Sequence, residues 1–424
     1  MADFSFPTQF KVKEIKIEDT DITAAFMNLE IFENIFIAGV SGSITFMDVD
    51  GNGFVEEEEI EFNEPFKFTI ESSNGDTLKF DGVLNGLQGE STKGEKKVYT
   101  ADFCTEELRT NEKTFVSEKY DATPEEVVSK MIEKVEGTLN SSGAAGEKMQ
   151  FLASRWHPLK VVNYVLQRGT TDQSKASAKE DGKPTEEKAE GTSGFLCWQT
   201  IGDENEYRMC TVDELLEGAF ETHTDFENKL MNKGLSLEEA NKAIIDYDFQ
   251  QMGDIQTNLR SGAFHSKVVS FDMDTGEYKE YTYDGRKGKT MTEKQKKIAD
   301  KPTRILMKPF QNDKFAPDCE KAEADTGDQS RKALAQGNAR QNTFNDQTGT
   351  LTCYARFDFH AGDIIDIKIN KVKAPESSGG NNQKHSGKYV IKQVGHHFTP
   401  DNRAYTKIKT IRASNQTDKS KANQ

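Results

Sequence analysis

The strongest constraint on this chain is where its period-two alternation of apolar and polar residues lies. Alternation fills both ends and lapses in the middle. Phe10-Lys-Val-Lys-Glu-Ile-Lys-Ile alternates strictly, and the pattern returns around Ile35, Ile44, Phe68, Phe80 and Tyr99. Near the other end it runs through Leu351, Ile364, Val390 and Ile408. Such alternation marks half-buried strands. Turn signals separate them, among them Asn74-Gly75, a two-residue hairpin signal. Six short strands at this spacing predict a small barrel or sandwich over the first hundred residues, and the closing strands return the chain to all-β, consistent with a second barrel of similar strand content.

Between the barrels the period changes. Thr123 as N-cap, Pro124 at the first helical position and Glu126 three residues past the cap predict a helix carrying Val127, Val128, Met131, Ile132 and Val135 on one stripe. A second helix is predicted from His157-Pro158, burying Leu159, Val162, Val165 and Leu166. Strands around Phe195 and Tyr207 complete an α+β unit. Residues 170–194 are almost free of apolar side chains and read as a surface excursion. Ser236 and Glu239 form a capping box, and residues 224–247 are expected to be helical.

The fold class is therefore α+β and β-dominated, with two small antiparallel barrels of the tube type bracketing a mixed region. The divisions expected are 1–110, first barrel; 111–225, α+β unit; 226–300, helical segment and strands leading into the second barrel; 301–343, irregular or helical insertion; 344–413, rest of the second barrel; 414–424, polar tail. No sequence repeat relates the two barrels.

Composition excludes several functions. With 424 residues and a net charge of -16, the chain is ill suited to neutralising phosphates, so sequence-specific nucleic-acid binding is not expected. No apolar run of about 18 residues is present, so membrane insertion by this chain is not expected. The first residues have neither a basic start nor an apolar core, so no secretory signal is expected. The five cysteines are far apart and odd in number, which favours reduced, buried thiols.

One string looks like chemistry. Asp48, Asp50, Asn52, Gly53, Phe54 and Glu59 fit the calcium-loop pattern, with Phe54 offering its carbonyl and Glu59 two oxygens. The flanks alternate like strands and Pro65 discourages a following helix, so a polar hairpin turn accounts for the string without a metal. His396 and His397 are adjacent in a strand and point to opposite faces, which favours structural roles for them and for nearby His360 and His385. No nucleophile elbow or phosphate loop is present, and no catalytic residue or cofactor is assigned. The alternatives to a structural protein are a calcium-binding interaction protein and a wall hydrolase.

Several phrases, in order along the chain, resemble the central baseplate hub of contractile-tailed, T-even-like bacteriophages, and more distantly the base of type VI secretion spikes. They begin at Ile31 (Ile-Phe-Glu-Asn-Ile-Phe-Ile-Ala-Gly-Val-Ser-Gly-Ser), Ala101 (Ala-Asp-Phe-Cys-Thr-Glu-Glu-Leu-Arg), Arg155 (Arg-Trp-His-Pro-Leu-Lys-Val-Val), Asn258 (Asn-Leu-Arg-Ser-Gly-Ala-Phe-His) and Ser386 (Ser-Gly-Lys-Tyr-Val-Ile-Lys-Gln-Val-Gly-His-His-Phe). The resemblance implies a non-enzymatic homotrimer with two barrels per chain, joining a sixfold tail tube to a threefold spike around a DNA channel. It implies as partners the spike or needle protein, the tail tube protein, baseplate wedge proteins and the tape measure protein. It implies a location in the virion baseplate after assembly in the host cytoplasm.

Overall fold

The computed structural model describes residues 6–48, 64–93, 96–142, 146, 148–171, 193–202, 206–228, 236–251, 255–272, 276, 278–284, 297–298, 301–310, 326–343, 347–370, 382 and 385–412. The amino-terminal strands are β1 (Phe10–Ile17), β2 (Thr20–Asp21), β3 (Phe26–Asn34), β4 (Ser41–Asp48), β5 (Pro65–Ser72), β6 (Thr77–Lys93) and β7 (Lys96–Cys104). The middle unit follows as α1 (Glu106–Lys113), β8 (Val116–Ala122), α2 (Pro124–Lys134), β9 (Thr138–Ser141), β10 (Met149–Trp156), α3 (Pro158–Arg168), β11 (Phe195–Gln199), β12 (Glu206–Thr211) and α4 (Val212–Glu217). The remainder comprises β13 (Thr222–Asn228), α5 (Leu237–Asn241), β14 (Ala243–Gln251), α6 (Ile255–Ser261), β15 (His265–Asp272), β16 (Tyr278–Asp284), β17 (Arg304–Phe310), α7 (Thr326–Thr343), β18 (Gln347–Tyr354), β19 (Ile364–Lys368), β20 (Gly387–Thr399) and β21 (Arg403–Arg412).

Strands β19-β13-β14-β18-β21-β20 form a ring, because β19 also pairs with β20. The first barrel runs β3-β4-β7-β6-β5-β1-β2, with no β1–β3 ladder among the described residues; Phe10 and Phe26 meet edge to face there instead, ring centroids 6.1 Å apart. Its interior is aromatic. Phe66, Phe68, Phe80 and Phe103 are all buried, with ring centroids of neighbouring pairs 4.9–6.3 Å apart. The Phe-rich alternation of the sequence is this core.

The two barrels share a five-strand unit. The order β3-β4-β7-β6-β5 recurs as β14-β18-β21-β20-β19, antiparallel throughout. Irregularities recur with it. The register shift between Phe26 and Asn28 matches that between Ile244 and Asp246. The shift between Leu84 and Gly86 matches that between Ile391 and Gln393. Gly42 and Gly349 occupy the same position, each crowded: a Cβ would lie 2.4 Å from Phe103 at Gly42 and 2.6 Å from Phe249 at Gly349. The sixth position differs. It is filled by β1, antiparallel to β5, in one barrel and by β13, parallel to β19, in the other. The repeat is one of topology; sequence similarity does not reveal it.

In the middle unit the predicted helices form. Thr123 caps α2 with a complete capping box, and Val127, Val128, Met131 and Ile132 are buried against Leu159, Val162, Val165 and Leu166 of α3. Thr170 bridges to Ser193, so the ends of the polar excursion are held together; residues 172–192 lie outside the described residues.

Two local expectations differ from the structure. Residues 224–247 are not one helix: the Ser236 capping box closes only α5, and β13 and β14 flank it. Ala243-Ile-Ile-Asp-Tyr-Asp-Phe alternates more strongly than it follows a helical stripe, and pairing with β18 decides the outcome. Strands β15 and β16 do not join the second barrel but pair with β17 in a separate three-stranded sheet backed by α7. Cys197 and Cys210 are one register position out of line across the β11–β12 ladder, opposite Met209 and Leu196 respectively; they belong to two different core clusters, and both are free thiols.

Candidate functional site at the junction of the barrels

Strand β20 pairs with β3, so the barrels form one continuous sheet. In β3 the inward phase carries Leu29, Ile31 and then Glu33, a fully buried carboxylate. Burying such a group is costly unless hydrogen bonds replace its water. They do: Glu33 Oε1 accepts from the Ile201 amide at 2.7 Å and lies 3.0 Å from His360 Nδ1, while Oε2 accepts from the Ala361 amide at 2.8 Å.

A second buried carboxylate, Asp363, lies in the same loop as His360. The Arg208 guanidinium of β12 donates to its Oδ1 at 2.7 Å. Its Oδ2 accepts from the His360 amide at 3.0 Å and lies 3.1 Å from His223 Nε2. Arg208 is itself 4.8 Å over the Phe220 ring. Strand β11 completes the joint. Gln199 Oε1 accepts from the Val40 amide and the Thr105 hydroxyl of the first barrel. Trp198 Nε1 donates to the Ala361 carbonyl of the second at 2.9 Å. Gly362, at φ +93, lies so close to the Trp198 ring that a Cβ would be 2.3 Å away. Residues from both barrels and the middle unit thus converge on two carboxylates, which fixes their relative placement.

Burial lowers the pKa of His360, but the Glu33 charge and hydrogen bond, with Asp363, more than offset this and the net shift is upward. His396, wholly buried and 3.1 Å from the Thr406 hydroxyl, is pushed down to about 3, first by burial and then by His360 and His397. His397, on the opposite face, pairs with Glu30 at 3.1 Å. His385 stacks on Phe249, 5.1 Å between ring centroids.

Glu221, His223 and Asp363 place ligand atoms within 4.8 Å of one another. Arg208 already neutralises Asp363, so the group is an ion network and no metal chemistry is assigned to it. Of the calcium-loop residues, Asp48 ends β4, paired with Lys97, while Asp50, Asn52, Phe54 and Glu59 lie outside the described residues. The sequence reading did not single out Glu33, Asp363, Arg208 or His223. Glu33 carried a signal: an acidic residue in the inward phase of an otherwise apolar strand.

No protein-family model matches the chain, and no curated protein matches it significantly. Solved structures do. The 43 kDa tail protein of prophage MuSo2 from Shewanella oneidensis superposes with a TM-score of 0.55 at 9% identity, over 96% of this chain and 98% of that one. The tail protein from Neisseria meningitidis MC58 gives 0.52 at 9% identity, over 95% and 97%. This chain therefore has the multi-domain, β-dominated fold of these tail proteins.

Proposed function

We propose that this chain is a structural protein of a phage-type tail, the trimeric central hub that joins a sixfold tube to a threefold spike. The carrying observation is the five-strand unit repeated within one chain and fused through β20 and β3. Two like barrels per chain give six per trimer, which is what matching sixfold to threefold symmetry requires. The shared fold with two tail proteins, one of them from a prophage, supports this reading.

On this reading the uninterrupted band β14-β18-β21-β20-β3-β4-β7-β6 faces the channel with the side opposite the barrel cores. That side carries Asp246, Asp248 and Glu30 beside Lys407 and Lys409, with Thr350 and Ser43 between. Mixed charge and hydroxyls offer DNA little net attraction. The spike, the tube, the baseplate wedge and the tape measure proteins are the partners proposed, and the role is mechanical rather than enzymatic.

Light scattering on the purified chain, with calcium and again with chelator, tests this. A mass three times 47.6 kDa in both is expected. A chain monomeric at every concentration, or trimeric only with calcium, contradicts it.

A further inference from the structure

Helix α3 of the middle unit presents an ordered stripe of rings and cations. Lys160, Tyr164 and Arg168 fall at four-residue spacing, which puts them on one face of the helix. Trp156, at the end of β10, meets Tyr164 with ring centroids 5.1 Å apart. Each cation lies over a ring: Arg168 at 3.8 Å from Tyr164, Lys160 at 5.2 Å from Trp156 and Arg155 at 5.6 Å from Phe115. Phe115 rests in turn on His157, 4.5 Å between centroids. Phe115, Arg155 and Lys160 are exposed.

These cations lack counter-charges. Helix α3 carries no Asp or Glu, and among the described residues no ion pair involves Arg155, Lys160 or Arg168. The neighbouring helix differs: Lys130 and Lys134 of α2 share Glu118, at 2.6 and 3.1 Å. Arg168 donates from Nη1 to the Tyr164 carbonyl at 3.4 Å, and its buried Nε has no hydrogen-bond partner among the described residues. Half-burying a guanidinium without a carboxylate is costly, in a chain where 71 acidic residues face 55 basic ones.

We propose that this stripe is the docking site for an acidic segment of a partner protein, whose carboxylates pair with Lys160 and Arg168 and whose apolar side chains lie against Phe115 and Trp156. Lys160 and Arg168 are about 12 Å apart along the helix. Carboxylates four residues apart in an extended segment, at about 3.3 Å per residue, match that separation. Charge complementarity selects an acidic occupant. A protein segment fits better than nucleic acid for two reasons. Bases stack on open ring faces, and here cations already cover them. A net charge of -16 also repels a long polyanion more than a short acidic segment. The assignment holds whether or not the chain is trimeric.

A fluorescein-labelled short peptide with Glu at every fourth position and Leu and Ala between, titrated with the full chain at low salt, tests this by anisotropy. Saturable binding is expected, weakening as salt screens the exposed charges. Tryptophan emission should shift with it, because Trp156 is half-buried whereas Trp198, the other tryptophan, is fully buried. Arg155→Glu combined with Lys160→Glu should weaken binding roughly tenfold at unchanged circular dichroism. Lys11→Glu combined with Lys96→Glu makes the same change of net charge at exposed positions elsewhere and should leave binding intact. The peptide with Gln in place of every Glu should not bind, which tests the charge requirement on the parent chain. No binding by the parent, equal binding by the Arg155→Glu and Lys160→Glu double variant, or equal binding of the Gln peptide overturns the proposal. Tighter binding of single-stranded oligo(dT) of the same length, lost in that double variant, makes the stripe a nucleic-acid surface and also overturns it.

Discussion

Glu33 and His360, 327 positions apart in the chain, meet at 3.0 Å across the seam between the two barrels. The carboxylate belongs to the strand that carries the seam, and the imidazole to the loop leading into β19. Two amides complete the clamp, one from the middle unit and one from the second barrel.

Removing one member of a buried, hydrogen-bonded charge pair leaves the other without compensation. Glu33→Ala is therefore expected to lower unfolding stability by about 3 kcal/mol. Glu33→Gln keeps the shape and should recover part of that loss. Urea unfolding followed by tryptophan fluorescence reads both, since Trp198 lies in the joint. Equal stability of Glu33→Ala and the parent would show that the clamp is dispensable.

Stability should peak near the ordinary histidine pKa of 6.5 as far as these histidines govern it. Between about 3 and 6.5 the unfolded chain binds a proton at His396 that the folded chain refuses, so stability falls on acidification, by up to about 1.4 kcal/mol per pH unit. His397, lowered by burial despite Glu30, acts in the same direction. His360 has the opposite sign. Its contribution is complete below 6.5 and is lost as pH rises through its raised value. Melting temperature against pH should therefore lose part of its acid limb in His396→Gln and part of its alkaline limb in His360→Gln.

Gly362→Ala combines a left-handed backbone position with a clash against Trp198. A cost of about 2 kcal/mol is expected. Gly202→Ala, where a Cβ meets nothing within 4 Å, is the matched control and should change little. Thermal melts of the two variants compare them directly.

Phe103 touches Phe66, Phe68 and Phe80 in the first barrel. Phe103→Ala should cost about 3–5 kcal/mol. Hydrogen exchange should show that loss in β4 to β7 more than in β18 to β21, because the two barrels have separate core clusters.

The barrels were legible because alternation reports a half-buried sheet directly, and the helices α2 and α3 because caps and apolar stripes agree. Residues 224–247 misled because a good capping box is local, while the pairing of β14 with β18 joins segments about a hundred residues apart. Strands β15 to β17 alternate like barrel strands, and nothing local says which sheet a strand joins. The seam was half legible. Glu33 broke an apolar phase, but its partners Ile201, His360 and Ala361 are set by tertiary folding alone. The topological repeat was invisible because it survives as strand order, bulges and one shared glycine position rather than as residue identity along the strands.

The most direct measurement is end-on electron microscopy of the purified oligomer. The account predicts three chains presenting six barrel densities of similar size around an axial channel, with the two barrels of each chain joined through the β20–β3 seam. Three chains that leave the barrels unevenly spaced, or that enclose no channel, would contradict it.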